Sequence, residues 1–213
     1  MNRKVFCLCF KILNKIYDTL LFSVEQLVCH IIFLGQGIVY HDLKSHGVPY
    51  VSVARSGSCH IGRGFKMNNG LKSNPIGPPQ RSVIFVAPNG QLSIGENVGV
   101  SQTAIVCFHK ITIGNNVRIG AGACIYDTDF HSLSPEFRTR GKIDGDHTVM
   151  KPVELKDNVF VGAHSTILKG TTIGENSIIG ACSVVTKSVP DNEIWAGNPA
   201  RFIKKLYAEE EIA

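Results

Sequence analysis

Residues 153–189 read VELKDNVFVGAHSTILKGTTIGENSIIGACSVVTKSV, and in them Leu155, Val161, Ile167, Ile173, Ile179 and Val185 recur at intervals of six. An α-helix repeats every 3.6 residues and a half-buried strand every 2, so neither has this period. A coil with flat faces does, if each face takes one hexad and turns sharply at its end. Gly162, Gly174 and Gly180 stand directly behind three of the rungs, where a tight turn needs a small residue. The pattern predicts a solenoid, in which each turn buries its apolar rung only by stacking on the next.

Working outward, a second ladder precedes this one: Ile94, Val100 and Val106, then Ile113, Ile119 and Ile125 after a one-residue slip, with Gly95, Gly114 and Gly120 behind its rungs. The repeat starts loosely near Val51, through His60-Ile61-Gly62, and is interrupted by the Gly/Pro-rich stretch 73–79, which reads as a loop. Between Tyr126 and Pro152 the period vanishes and polar residues gather. A long aperiodic insertion in a regular coil points to function, because the scaffold does not need it. The ladder stops at Val189-Pro190-Asp191-Asn192.

The start of the chain differs. Phe6, Phe10, Leu13, Ile16, Leu20, Leu27 and Ile31 have near-helical spacing, interrupted by Lys4, Lys11, Lys15, Asp18 and Glu25. No small-residue cleavage site follows an early apolar run, so a signal peptide is not expected. The one window for a membrane span, 19–38, carries Glu25, Gln26 and His30 in its middle, where a carboxylate is expensive. The segment reads as an amphipathic helix or helix pair, capping the exposed coil end or lying on a membrane surface. The expected organisation is therefore a mainly β chain in three parts: a helical segment over 1–45, a parallel β-helix over 46–205 with an insertion at about 126–152, and a short acidic helical tail over 206–213.

Composition fits one soluble core. Of 213 residues, 44% are hydrophobic and 18% charged, and the net charge of +5 suits an anionic small ligand. No block of Lys/Arg alternates with aromatics, so nucleic acid is not the expected partner. The seven Cys are odd in number and form no C-x-x-C, which reads as reduced thiols in a cytoplasmic protein.

The hexads Ile113-Gly114-Asn115-Asn116-Val117-Arg118 and Ile173-Gly174-Glu175-Asn176-Ser177-Ile178, the segment Asp127-Thr128-Asp129-Phe130-His131 and the ending Gly197-Asn198-Pro199-Ala200-Arg201 carry a specific resemblance. The chain resembles the left-handed parallel β-helix acyltransferases, within them the galactoside, maltose and polysaccharide O-acetyltransferases, over roughly 83–205. That resemblance implies a homotrimer, acetyl-CoA as cosubstrate bound between subunits, and transfer of acetyl to a sugar or polysaccharide hydroxyl. It also supplies the handedness, which periodicity cannot.

An alcohol neutral at pH 7 must lose its proton to attack a thioester, and imidazole titrates near that pH. Of eight histidines, His131 stands apart: it opens the insertion with Asp127 and Asp129 just before it. The resemblance implies that His131 is the general base, with Asp129 the better candidate to orient the ring or hold an acceptor hydroxyl and Asp127 a second. Arg138, seven residues on, and Ser101 are implied acceptor contacts. Implied donor contacts are Phe160, Ala163, Ala181, Thr186, Lys187, Arg201 and Lys204. The two alanines would let backbone approach the pantetheine arm, and the cations would meet phosphates. Trp195, the only Trp, reads as packing over the coil end. Alanine at 163 stands where these enzymes often carry serine, and Phe160 where tryptophan is common, so acceptor specificity is open. Another acyltransferase of this scaffold, acting on an amino sugar, serine or xenobiotic, is the alternative. No metal is expected: γ-class carbonic anhydrases share the coil but use three zinc-binding histidines, two of them four residues apart, a spacing absent from His109, His131 and His164.

Overall fold

A computed structural model of the chain describes residues 3–70, 72–77 and 80–206. After one long helix, α1 (Arg3–Gly35), the described residues wind into twenty short strands in three sheets. The first face stacks β1 (Val39–Tyr40), β4 (Ser58–Ile61), β7 (Gln91–Ile94), β10 (Lys110–Ile113), β13 (Val153–Leu155) and β16 (Thr172–Ile173). The second stacks β2 (Leu43–His46), β5 (Phe65–Asn68), β8 (Gly99–Ser101), β11 (Arg118–Ile119), β14 (Phe160–Val161), β17 (Ile178–Ile179), β19 (Glu193–Ala196) and β20 (Arg201–Lys205). The third stacks β3 (Tyr50–Val53), β6 (Val83–Val86), β9 (Ala104–Cys107), β12 (Cys124–Tyr126), β15 (Thr166–Ile167) and β18 (Val184–Val185). Every pairing between these strands is parallel except the closing hairpin β19–β20. From β1 to β18 each successive strand takes the next face, as the six-residue period requires, and β19 and β20 close the second face.

All six rungs of the ladder from Leu155 to Val185 are fully buried in the central core. The first ladder needs one correction: at the slip, Ile105 and Cys107 point inward and Val106, between them, is only half-buried. Ile105 is in register with Ile84 and Ile125, so stacking on neighbouring turns decides the phase. Burial of each such aliphatic side chain is worth about 1.5–3 kcal/mol.

The corner from the first to the second face shows how the sequence makes the turn. Asn97, Asn116, Asn158, Asn176 and Asn192 all hold φ between 57° and 61°, a left-handed conformation that asparagine tolerates better than most side chains. Their amides form a ladder, each donating to the next, at 3.3, 3.1, 2.9 and 2.8 Å. The glycines behind the rungs are needed for a different reason. A Cβ on Gly162 would lie 2.4 Å from the backbone nitrogen of Ala181, and one on Gly120 2.5 Å from that of Ala163.

The coil begins earlier than the expected boundary at 46: β1 and β2 already pair with β4 and β5. The N-terminal segment is a single helix, and only its final part packs on the coil. There Cys29 and Phe33 are buried, Glu25 accepts the Gly47 N–H at 2.8 Å, and the Gln26 amide bonds the Ser45 carbonyl. The first five turns carry no buried residue, so α1 covers the coil end with one stretch and projects with the rest. By length and composition alone it could cross a membrane. Of the expected helical tail over 206–213, residues 207–213 lie outside the described residues.

Candidate functional site

The insertion leaves the corner between the third and first faces. Its neck is closed by an antiparallel bridge between Thr128 and Met150, with Asp129 N–H donating to Val149 carbonyl at 3.1 Å and Lys151 N–H to Asp127 carbonyl at 2.9 Å. Two short helices follow, α2 (Pro135–Arg138) and α3 (Lys142–Asp146), joined by Phe137 stacking on His147 with ring centroids 3.9 Å apart. The segment is aperiodic, yet pinned at its neck and braced inside.

His131 is held in this frame by a residue that sequence reasoning missed. Its Nδ1 lies 2.6 Å from Oδ2 of Asp144, and the other carboxylate oxygen, Oδ1, accepts the Ser132 N–H at 2.6 Å. The His131 hydrogen bond, then the Ser132 backbone bond, hold the Asp144 carboxyl below its ordinary range, so it is ionised at neutral pH. A carboxylate only accepts hydrogen bonds, so in the neutral ring Nδ1 carries the proton and Nε2 presents a lone pair. The His131 side chain is 68% exposed against 11% for Asp144, and it points away from the core. An outward base fixed by a sheltered anion can take a proton from a bound hydroxyl.

The two aspartates before His131 do other work, which corrects the expectation for both. Asp127 is fully buried and accepts backbone N–H bonds from Phe108, His109 and Lys110 at 2.8, 2.8 and 2.7 Å. It ties down the corner after β9 and has no surface for an acceptor. Asp129 does not orient the ring; it pairs with Lys169 at 2.7 Å. Its second oxygen is buried and accepts no hydrogen bond from the described residues. Phe130, at φ 61°, packs against Tyr126 and Phe108 and so reverses the chain between Asp129 and His131. Arg138 is exposed on α2, close enough to act electrostatically on Asp144.

The remaining predicted residues lie elsewhere on the coil. Ser101 ends β8 on the second face, its hydroxyl accepting from the Asn68 amide at 3.1 Å. Phe160 stands on the outside of β14, in register with Arg118 and Ile178. Ala163 and Ala181 form a column at the corner between the second and third faces, where the Cys182 N–H donates to the Ala163 carbonyl at 2.8 Å. Arg201 pairs with Ala196 and Lys204 with Ile194 in the closing hairpin, both exposed. Thr186 and Lys187 follow β18 on the corner from which the insertion springs, nearer the coil's end. Trp195 is half-buried against the core end, its indole N–H donating to Glu193 at 2.7 Å. The single chain therefore gathers His131, Asp144 and Asp129 at one corner and Phe160, Ala163 and Ala181 around another. A groove of about 750 Å³ lies between α1 and the start of the coil, lined by Phe22, Glu25, His46, Asn68 and Lys72, and does not include His131.

Comparison with known proteins gives this geometry a family. Residues 142–187 match the family described as bacterial transferase hexapeptide (six repeats), and residues 110–126 the hexapeptide repeat of succinyl-transferase. A Dictyostelium discoideum protein provisionally named an acetyltransferase is 34% identical over 135 residues, which span 60% of this chain and 68% of that one. The chain belongs to the hexapeptide-repeat acetyltransferases. This acetyltransferase is also 34% identical over 129 residues to the galactoside O-acetyltransferase of Escherichia coli, covering 57% of its own length and 61% of the relative's. A solved galactoside acetyltransferase in complex with coenzyme A shares 26% identity and a TM-score of 0.51, over 81% of this chain and 67% of that one. A Vibrio cholerae hexapeptide-repeat acetyltransferase complexed with acetyl coenzyme A has a TM-score of 0.55 at 22% identity, over 88% and 86% of the two chains, a likeness of fold. The coil of this acetyltransferase is accordingly a left-handed parallel β-helix.

A mitochondrial γ carbonic anhydrase of Arabidopsis thaliana is 27% identical over 167 residues, 72% of this chain and 58% of that one. The acetyltransferase has His131 on the insertion corner and His164 at the opposite corner, its Nε2 3.3 Å from the Ile76 carbonyl. Among the described residues no three His, Cys, Asp or Glu side chains come together as a metal site.

Proposed function

We propose that the chain is an O-acetyltransferase that moves acetyl from acetyl-CoA to a hydroxyl of a sugar or polysaccharide, with His131 as general base. The observation that carries the proposal is the His131–Asp144 pair, which aims a lone pair outward beside an exposed corner. Nε2 takes the hydroxyl proton while the oxygen attacks the thioester carbonyl. The tetrahedral intermediate then collapses, the C–S bond breaks, and the imidazolium returns the proton to the departing thiolate. No covalent enzyme intermediate is needed, and holding two bound substrates together supplies much of the acceleration. With no serine at 163, a backbone N–H must stabilise the oxyanion, an interaction worth about 3 kcal/mol when well aimed.

Donor binding is assigned to the column of Ala163 and Ala181, the wall of Phe160, Thr186, and the cations Lys187, Arg201 and Lys204. Phe160, Ala163 and Ala181 lie around a different corner from His131, which supports a site completed between copies in a homotrimer, where closed symmetry gives three equal sites. The coenzyme A and galactoside enzymes among its relatives support the donor and the acceptor class respectively.

The test is thiol release from acetyl-CoA with a panel of mono- and oligosaccharides and amino sugars, comparing wild type with His131→Ala. A loss of 10²-fold or more in the variant, with a saccharide hydroxyl preferred, is expected. Equal turnover by both proteins ends the assignment of His131, and preference for an amine ends that of the acceptor.

A further inference from the structure

The exposed side of α1 carries a second periodicity. Phe6, Phe10, Leu13, Tyr17, Leu20, Val24, Leu27, Ile31 and Leu34 follow one another at alternating intervals of four and three, through four heptads. All nine are exposed, from 53% at Phe6 to 68% at Leu34. We propose that this stripe is a coiled-coil seam on which α1 of one copy packs in parallel against α1 of another.

Three observations favour a second copy as the occupant. First, the period is 3.5. A straight helix lying on a flat surface keeps its apolar face at 3.6, and a strict heptad drifts about 20° per repeat unless a partner helix supercoils with it. Second, the residues sort by position: Leu13, Leu20, Leu27 and Leu34 fall on one line and the β-branched Val24 and Ile31 on the other, the arrangement that parallel strands favour. Third, the seam is largely free to be used: Tyr17 alone of the nine has a ring contact with the rest of the described chain, Lys72 Nζ lying 5.4 Å over it. Of the residues that meet the coil, Phe22, Glu25, Gln26, Cys29 and Phe33 occupy the opposite side of the helix and His30 and Ile32 its flanks, and the charges Lys4, Lys11, Asp18 and Glu25, which themselves recur every seven, share that opposite side. The same helix can therefore hold its own coil and a neighbour's helix together. Nine such side chains would bury on the order of 100 Å² each, near the ~800 Å² per partner of a standard interface.

The first half of α1 is also basic, with Arg3, Lys4, Lys11 and Lys15 before Asp18, so the experiment must separate a helix partner from an anionic bilayer. In the full chain with Cys7, Cys9 and Cys182 changed to Ser, Leu27→Cys is treated with a short bis-maleimide, beside Lys11→Cys on the back of the helix. Crosslinking at Leu27→Cys at least tenfold faster than at Lys11→Cys is expected, because a parallel seam brings identical positions together. Adding Leu13→Glu/Leu20→Glu to the Leu27→Cys protein should slow its crosslinking at least tenfold, with an unchanged thermal transition, since both sites are exposed in the single chain. Equal crosslinking at the two positions overturns the proposal. So does a Leu13→Glu/Leu20→Glu protein that crosslinks through Leu27→Cys as fast as before, including one that has lost only its binding to phosphatidylcholine/phosphatidylserine vesicles. The coil's own assembly does not confuse the outcome, because crosslinking reads α1 alone.

Discussion

Asp144→Asn changes one atom and tests the arrangement around His131. The carboxylate now accepts from two donors at once, His131 Nδ1 and Ser132 N–H, both at 2.6 Å. An amide has one oxygen and one NH₂, so it can accept from only one of them. If the oxygen keeps Ser132, the NH₂ faces Nδ1 and forces the ring into the tautomer whose Nε2 carries a proton, which cannot act as a base. If the oxygen turns to Nδ1, the NH₂ opposes the buried Ser132 N–H. In either case the imidazolium formed during transfer loses its anionic partner, and a bond to that charge is worth about 1.5–3 kcal/mol, a factor of roughly 10–150. Tautomer inversion adds to this, so kcat/KM for thiol release should fall about 10²–10⁴-fold, with donor KM little changed because the Asp144 carboxylate bonds only His131 and Ser132 and none of the donor residues. Acid stability supplies a second readout. The carboxyl is held below its ordinary range by the His131 bond first, so it stabilises the fold above the ordinary carboxylate pKa near ~4. That contribution fades as pH falls through the depressed value, so below about pH 4 the melting temperature of the wild type should drop more steeply than that of the variant. A variant within threefold of wild-type kcat/KM would refute the view that Asp144 sets the tautomer.

Asp127→Ala leaves the backbone N–H groups of Phe108, His109 and Lys110 without their buried acceptor. It should cost about 3 kcal/mol or more, read as a lower urea midpoint; an unchanged midpoint would mean the corner after β9 holds itself. Asn158→Ala places a Cβ-bearing residue without a side-chain hydrogen bond at φ 61° and cuts two rungs of the amide ladder, for about 2–4 kcal/mol; Asn158→Gly should recover roughly 1 kcal/mol of it, and equal losses would assign the whole cost to the ladder. Burial pushes the Cys59 and Cys107 thiols up to about 12, so at pH 8 a thiol reagent should label the exposed Cys7, Cys9 and Cys182 and reach those two only on unfolding. Rapid labelling of Cys107 in the native protein would contradict its packing.

How much of this was legible in the sequence depends on whether a residue's role was local. Rungs were, because a solenoid repeats the same contact at a fixed spacing: Leu155, Val161 and Ile167 have one environment, and period alone locates it. The one misplaced rung, Val106, sits where the corner after β9 departs from the hexad, so counting by six steps over Ile105 and Cys107. Asp127 and Asp129 drew attention because they adjoin His131, yet adjacency sends them elsewhere. Asp127 turns inward to three amides, and Asp129 pairs with Lys169, forty residues away along the chain and at the same corner of the coil.

Asp144 lay thirteen residues from His131, in a segment with no period to count. Only the fold of α2 and α3, with Phe137 against His147 and the Thr148 hydroxyl on the Asp144 carbonyl at 2.8 Å, brings it back under the ring. A signal existed in retrospect: within the aperiodic stretch Asp144 follows Gly141, whose positive φ of 54° opens α3. That glycine marks where the chain turns back toward His131, and a carboxylate within one helical turn of it is within reach of an imidazole at the other end of the loop. Periodicity finds what a scaffold repeats. An active-site partner is needed once, so it is found by asking where an irregular segment must reverse.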